Sequence, residues 1–178
     1  MRPLLSAAAF VVAAACSTVV ANADVLSIGR ATFDFDAPSP PLTAGQQALF
    51  QRYKDAVNRH DETDLMSLQD DSMKGCAIVS RKLILQDLNR TIPDDAKVRF
   101  FATTEDLAKE MGFGDLAYLS AQPTAVLGVT GGAKSQNQIK IITILRPVRQ
   151  AGETYALVPY CLTEKGQALM EQKDATRP

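Results

Sequence analysis

Helical and strand periodicities occupy different parts of this chain of 178 residues. From residue 43 to about residue 93, apolar residues recur three or four positions apart, as they do on one face of a helix. From residue 97 onward they form short β-branched stretches that are separated by turns. This order predicts an α+β fold in which N-terminal helices pack on a curved antiparallel sheet, because parallel sheets need helices between their strands.

The first half of the chain carries three helix signals. Thr43 and Gln46 form a capping box, in which each side chain accepts a bond from the other residue's backbone N–H. The apolar face of the helix that follows comprises Leu49, Tyr53, Ala56, Val57 and His60. Asp61 is expected to cap a second, short helix. A third helix is predicted from Ser80 to Arg90, and Pro93 follows its end because the residue before a proline leaves the helical region.

The second half of the chain indicates an antiparallel sheet. Strands are predicted, in chain order, over residues 97–103, 116–121, 124–130, 138–149 and 154–162. A short helix is predicted over 104–111, and Thr163 is expected to cap a last helix. In the longest strand, Ile144 and Arg146 are expected on the face opposite to Leu145, because side chains alternate along a strand.

The first 23 residues are typical of a signal peptide. A short basic start precedes an apolar run from Leu4 to Val20, and Ala21-Asn22-Ala23 forms the small-x-small pattern that a signal peptidase cuts. Polar residues interrupt the run, which makes it a poor membrane anchor. A rival interpretation is a weak lipobox, Ala13 to Cys16, in which Cys16 becomes the lipidated first residue. Both interpretations place the domain outside the cytoplasm, either periplasmic or secreted.

Export would place the two remaining cysteines in an oxidising compartment. Cys76 and Cys161 are the only thiols left after cleavage, and an even number of cysteines in an oxidising compartment favours a disulfide. A bond between them would close a loop of 85 residues, for which the chain-entropy relation gives roughly 4.5 kcal/mol of stabilisation. Two separately buried thiols are the alternative.

The sequence divides into a signal peptide (1–23), an extended leader (24–42) and a single domain (43–178). Pro38, Pro40 and Pro41 make the leader a stiff tether. Phe33 and Phe35 alternate with polar residues, which indicates a short edge strand. No chemistry is expected in the leader.

Charge and histidine content exclude several classes of function. Nineteen basic residues oppose twenty acidic ones, and the resulting net charge of −1 creates no field that would attract nucleic acid. His60 is the only imidazole, which excludes zinc sites built from several histidines. At the end of the first helix, a charged His60 would complement the helix dipole. The acidic cluster over 61–71 lacks the spacing of a calcium-binding loop. We therefore expect no metal and no cofactor.

Two further patterns have a structural interpretation. Lys140, Arg146 and Arg149 share a strand region, with Arg99 expected on a neighbouring strand. These cations form either an anion-binding groove or a solvated outer face of the sheet, and the solvated face is favoured. Residues 112–117 match the dinucleotide fingerprint G-x-G-x-x-A, but they follow a predicted helix rather than a strand, so a turn is expected.

Residues 50–61, with the sequence FQRYKDAVNRHD, and the Leu-rich stretch 65–68 resemble the opening helix pair of the nuclear-transport-factor-2-like (cystatin-like cone) superfamily. Strands over 139–148 and 155–161 resemble the late strands of the same fold. Within the superfamily, the pairing of Cys76 with Cys161 and the stretch 158–161, with the sequence VPYC, are most similar to exported bacterial members. The resemblance implies a sheet that curves around the first helix and encloses a pocket. The expected lining residues are Tyr53, Val57, Phe101 and Tyr118.

This superfamily includes isomerases, polyketide cyclases, dehydratases and non-catalytic exported domains, so its fold does not select a function. Its isomerases use an Asp as the proton-shuttling base in an apolar pocket, whereas the strand over 139–145 carries no acid. We therefore predict an exported, non-catalytic domain that binds a small molecule or an envelope protein. It is expected to bind no nucleic acid and to have no membrane span in its mature form. An Asp/Tyr proton-transfer enzyme and a protein-interaction or inhibitor module stay open as alternatives, and a homodimer through the sheet is compatible with them.

Overall fold

The computed structural model describes residues 25–28, 30–70, 76, 85–103, 109, 111, 114–132, 134–135, 138–139 and 142–175. The predicted signal peptide, residues 80–84 of the third helix and most of the predicted helix over 104–111 lie outside the described residues. None of the described helices is long and apolar enough to cross a membrane.

The described elements form an α+β fold with three α-helices and antiparallel sheets, as predicted. The strands are β1 Val25–Ile28, β2 Ala31–Asp34, β3 Lys97–Ala102, β4 Ala117–Leu119, β5 Ala125–Gly131, β6 Lys134–Ser135, β7 Gln138–Ile139, β8 Ile142–Ala151, β9 Thr154–Leu157 and β10 Tyr160–Leu162. The helices are α1 Ala44–Asn58, α2 Glu62–Ser67 and α3 Glu164–Ala175, and a 3₁₀ turn spans Gln86–Asn89.

A four-stranded antiparallel sheet in the order β3-β5-β8-β9 forms the centre of the molecule, and β1–β2, β4–β10 and β6–β7 form separate two-stranded sheets. The predicted last strand over 154–162 is divided at Pro159, which has no N–H to donate to a ladder. Its second part, β10, pairs with β4 instead of with the central sheet. Of the strand predicted over 138–149, Gln138–Ile139 form β7, which pairs with β6, and Ile142 onward form β8, which continues to Ala151.

α1 begins and packs as its sequence predicts. Thr43 and Gln46 form the capping box, and Asp61 accepts a bond from the backbone N–H of Asp64 at the start of α2. The buried residues of α1 are Leu49, Tyr53, Ala56 and Val57. They contact Leu127 and Ile144 of the central sheet within one hydrophobic core.

The two faces of the central sheet are covered by different elements, because side chains alternate along each strand. In β5, Leu127 and Val129 belong to the core under α1, whereas Val126 belongs to a second cluster. That second cluster is formed with the β1–β2 hairpin, through Phe33 and Phe35. The sheet is therefore packed between helices on one side and the leader on the other.

The leader is more than the tether predicted from its prolines. Residues 25–28 and 31–34 pair as an antiparallel hairpin, and the side chains of Phe33 and Phe35 are buried against the sheet. The predicted short strand around Phe33 is thus present, but its hairpin covers an apolar face that would otherwise be in contact with water.

Candidate functional site

One carboxylate is fully buried between α1 and the sheet. Asp87, in the 3₁₀ turn, has only 1% of its surface exposed. The Oη of Tyr53 donates a hydrogen bond of 2.6 Å to its Oδ2, and the Nε of Arg146 donates a second bond of 2.6 Å to the same atom. The Nη2 of Arg146 donates to Oδ1. The pair is therefore bidentate, which is the strongest geometry between a guanidinium and a carboxylate.

Arg90 adds a second cation beside the same carboxylate. Its Nε lies 3.5 Å from Oδ1 of Asp87, and its Nη1 donates to the backbone oxygen of Thr143 at 3.0 Å. Asp87 thus contacts α1, β8 and its own turn through three side chains. We call the group of Tyr53, Asp87, Arg90 and Arg146 the Asp87 cluster.

Burial sets the ionisation of the groups in this cluster. Burial raises the pKa of Tyr53 well above its usual value, and the charge and hydrogen bond of Asp87 raise it further against the opposing effect of Arg146. Burial alone would lower the pKa of Arg146, but the charge and hydrogen bonds of Asp87 together with the charge effects of Tyr53 and Tyr160 outweigh burial, and the pKa is raised. Tyr53 is therefore a neutral donor and Arg146 a cation.

Tyr160 of β10 lies near the cluster. Burial raises its pKa to about 12, since the lowering effect of Arg146 is smaller and the charge of Asp87 adds to the increase. Both phenols around Asp87 therefore remain protonated at neutral pH.

The geometry limits what Asp87 can do chemically. Both carboxylate oxygens of Asp87 accept bonds within the cluster, Oδ2 from Tyr53 and Arg146 and Oδ1 from Arg146, so the carboxylate is engaged in contacts between elements of the fold. Breaking such a buried pair by removing one partner typically costs about 3–5 kcal/mol. Within the described part of the chain, no group of three His, Cys, Asp or Glu side chains is arranged to hold a metal ion.

The structure does not bring the four predicted lining residues together. Tyr53 and Val57 lie in the core under α1. Phe101 lies on the other face of the sheet, where its ring centroid is 5.1 Å from that of Phe33. Tyr118 lies on β4 and is 43% exposed. Phe101 is displaced from the expected pocket because Phe100, one position earlier in β3, takes the face toward α1.

The prediction that these cations lie on a solvated face of the sheet is wrong for Arg146. Its side chain is only 21% exposed and points, like Ile144 and Val148, toward the core under α1. Arg99 is also enclosed, since it donates to backbone oxygens of the leader. Arg149 is exposed and lies 3.9 Å from the partly buried Asp70, and Lys140 lies outside the described residues.

Sequence reasoning missed Asp87, although one signal pointed to it. Asp87 stands between Leu85 and Leu88, which both pack against the core under α1, so an acid occupies an apolar stretch. An acid in that position needs a buried cation, and Arg146 was expected on the same face of its strand as Ile144.

His60 lies beyond the C-cap of α1 with a positive φ of 54°, and its Nδ1 is 2.5 Å from the oxygen of Leu88.

The two predicted disulfide partners are adjacent in the structure. The structure pairs Cys76 with Cys161, whose Cα atoms are 5.7 Å apart, a separation that a disulfide spans. Cys161 is fully buried in β10 and lies directly opposite Tyr118 of β4.

Large apolar side chains are exposed beside this strand pair. Leu116, which directly precedes β4, is 41% exposed, and Tyr118 within β4 is 43% exposed. Gly166 of α3 approaches the backbone oxygen of Leu116 so closely that a Cβ would collide with it. Leu169, one helical turn farther, is 40% exposed. We call Leu116, Tyr118 and Leu169 the Tyr118 surface.

Comparison of the chain with known protein families, with curated proteins and with solved structures finds no match.

Proposed function

We propose that this chain is an exported, non-catalytic domain of the cone type that binds a partner protein through the Tyr118 surface. The observation that carries the proposal is the exposure of Leu116 and Tyr118 at β4 and of Leu169 on α3. Energetic hot spots at protein interfaces are enriched in Tyr, Trp and Arg, and the contacts around them exclude water. An exposed tyrosine with two exposed leucines therefore favours a protein surface as the ligand.

The bonds that Asp87 already accepts from Arg146 and Tyr53 support the non-catalytic part of the proposal. A general base needs a carboxylate that can accept a proton from a substrate within hydrogen-bond reach. Asp87 is instead paired with Arg146 and bonded by Tyr53. The proton-transfer alternative would require Asp87 to leave this pair, so the geometry favours a structural role.

The pairing of Cys76 with Cys161 supports export, since disulfides persist in oxidising compartments. The order of elements, two helices followed by the antiparallel meander of β3, β5, β8 and β9, is compatible with the cone-type arrangement that the sequence resemblance implies. A signal peptide cleaved after Ala23, with lipidation at Cys16 as its alternative, completes the proposal. Sequencing the N-terminus of the exported chain distinguishes a start at Asp24 from a blocked, lipidated Cys16.

A site-specific photo-crosslinker tests the binding surface. We expect a photoreactive side chain at position 118 to give a discrete protein adduct in the living source cell. The matched control is the same side chain at Gln150, an exposed polar residue of β8. The adduct should be lost in a Leu116→Asp variant that retains its folded spectrum. Equal adducts at both positions, or an adduct that survives Leu116→Asp, would contradict the proposal.

A further inference from the structure

The stretch Asn89-Arg90-Thr91 matches the acceptor motif for N-linked glycans. Such acceptors have the form Asn-x-Ser or Asn-x-Thr, in which x is any residue except proline. The chain contains four asparagines, and only Asn89 is followed two positions later by a serine or a threonine. Because the motif is short, its place in the fold decides whether a glycan fits there.

The 3₁₀ turn directs its side chains toward different edges. A 3₁₀ helix has three residues per turn, so side chains three positions apart lie on the same edge. Asp87 and Arg90 form one such pair, with Oδ1 and Nε 3.5 Å apart, and Asp87 is buried. Gln86 and Asn89 form a second pair, and both are exposed. The contacts that hold Asp87 in the core therefore direct Asn89 toward solvent.

The residues that follow Asn89 keep the motif at the surface. Arg90 ends the turn with an extended backbone, at φ −112° and ψ 166°. Thr91 is exposed, and Ile92 directly after it is buried in the core under α1. The motif thus lies at the surface between a turn and a buried residue. An exposed position of this kind accommodates a bulky, hydrophilic glycan.

Asn58 provides a matched comparison within the same chain. Like Asn89, it is followed by an arginine, but His60 stands two positions later in place of a hydroxyl residue. Its Nδ2 donates to the backbone oxygen of Ile92 at 2.9 Å, and its Oδ1 accepts from the backbone N–H of Ile92 at 2.7 Å. The amide of Asn58 is therefore bonded into the fold, whereas Asn89 lies at the surface.

We propose that Asn89 is an N-glycosylation site of the exported chain. The inference rests on the export that forms part of the proposed function, because N-linked glycans are carried by surface segments of secreted proteins. The co-reactant is an oligosaccharide joined through its C1 to a polyisoprenyl pyrophosphate. The Nδ2 of Asn89 forms a bond to C1, and the bond from C1 to the pyrophosphate oxygen breaks. The amide loses one proton, the lipid pyrophosphate leaves, and no atom is oxidised or reduced.

Mass spectrometry of the full chain purified from its source cell tests the proposal. The peptide that contains Asn89 should carry the added mass of a glycan, and its fragment ions should place that mass on Asn89. The peptide that contains Asn58 is the internal control and should keep its unmodified mass. Asn89→Gln and Thr91→Val should abolish the added mass. Thr91→Ser should retain it, because serine keeps the hydroxyl group that the motif requires.

N-terminal sequencing of the same sample separates the failure of this proposal from the failure of export. A chain that begins at Asp24 or at a lipidated Cys16, but whose Asn89 is unmodified, overturns the glycosylation and leaves export standing. A chain that keeps Met1 overturns both. An added mass on another residue, or one that persists in Thr91→Val, also overturns the glycosylation of Asn89.

Discussion

The two faces of the central sheet are covered in different ways. On the helix face, Asp87, Arg146 and Tyr53 join three elements through short side-chain bonds in the core. On the leader face, aromatic rings pack edge-on, and Arg99 binds backbone oxygens that any extended segment would offer. The helix face thus depends on a buried ion pair between side chains, whereas the leader face is held by aromatic packing and by bonds to backbone oxygens.

Removing the charge of Asp87 should have the largest effect on the stability of the helix face. Asp87→Asn leaves the buried guanidinium of Arg146 without a counter-charge, which should lower the free energy of unfolding by about 3–5 kcal/mol. Denaturant unfolding followed by circular dichroism measures the loss. The double variant Asp87→Asn with Arg146→Met should recover a large part of it, because the unpaired cation is gone.

Asp94→Asn is the matched control, because Asp94 is a solvent-exposed acid that is also paired with a cation, Lys54. Its midpoint of unfolding should stay at the wild-type value. Equal losses in the Asp87 and Asp94 variants would show that the buried pair has no special role.

Phe33→Ala should have a smaller and more local effect. Deleting a buried phenylalanine ring costs about 3 kcal/mol or more, and here the loss falls on the docking of the leader. Hydrogen exchange should accelerate in β1 and β2 and stay unchanged in α1. Val25→Ala, at an exposed residue of the same hairpin, is the control and should change neither rate. Faster exchange in α1 after Phe33→Ala would show that the two faces unfold together.

Alkaline pH should lower the free energy of unfolding, because a buried phenol near the Asp87 cluster then ionises. The pKa of Tyr160 is raised to about 12 in the folded state, against about 10 for an unfolded tyrosine. The stabilisation by the protonated phenol is therefore complete below pH 10 and is lost as the pH rises through about 12. A difference of about two pKa units corresponds to roughly 2.7 kcal/mol.

Unfolding measured between pH 9 and pH 12 tests this, with phenolate absorbance as the titration signal. Tyr160→Phe should make the fall in stability over that range less steep, while the part due to Tyr53, whose pKa is also raised by burial, should remain. A variant that declines as steeply as the wild type would assign the alkaline transition to another group.

Arg99→Lys should give the smallest effect. A lysine keeps the charge but cannot bond two backbone oxygens with one planar group, so about 1 kcal/mol of leader docking should be lost. Exchange rates of the amides in β2 report the change. Arg149→Lys, at an exposed arginine of β8 that is also near a carboxylate, should leave those rates unaltered.

The fold could be predicted from the sequence where the spacing of neighbouring residues determines the local structure. The capping box of Thr43 and Gln46 and the alternation of Ile144 and Leu145 follow from spacing alone, and the structure confirms both. The predicted buried face of α1 is confirmed except at His60, which is exposed and lies beyond the C-cap. The division of the last strand at Pro159 was not predicted, although a proline in a strand is a signal for it.

The candidate site was less predictable, because its members lie far apart in sequence. Arg146 was placed on the correct face of its strand, but that face was taken to be the solvated one. Only the fold brings Asp87, 59 positions earlier, into contact with it. The same limit applies to Phe101, since the spacing within β3 does not show which face α1 covers and which face the leader covers. The pairing of Cys76 with Cys161 was accessible because few cysteines leave few combinations.

Native-state hydrogen exchange of the wild-type chain compares the two faces most directly. The account predicts that amides of β1 and β2 exchange through a local opening of low free energy. It also predicts that amides of α1 and β8 exchange only when the whole chain unfolds. A single free energy of opening for all four elements, or an opening of α1 that precedes that of β1 and β2, would contradict it.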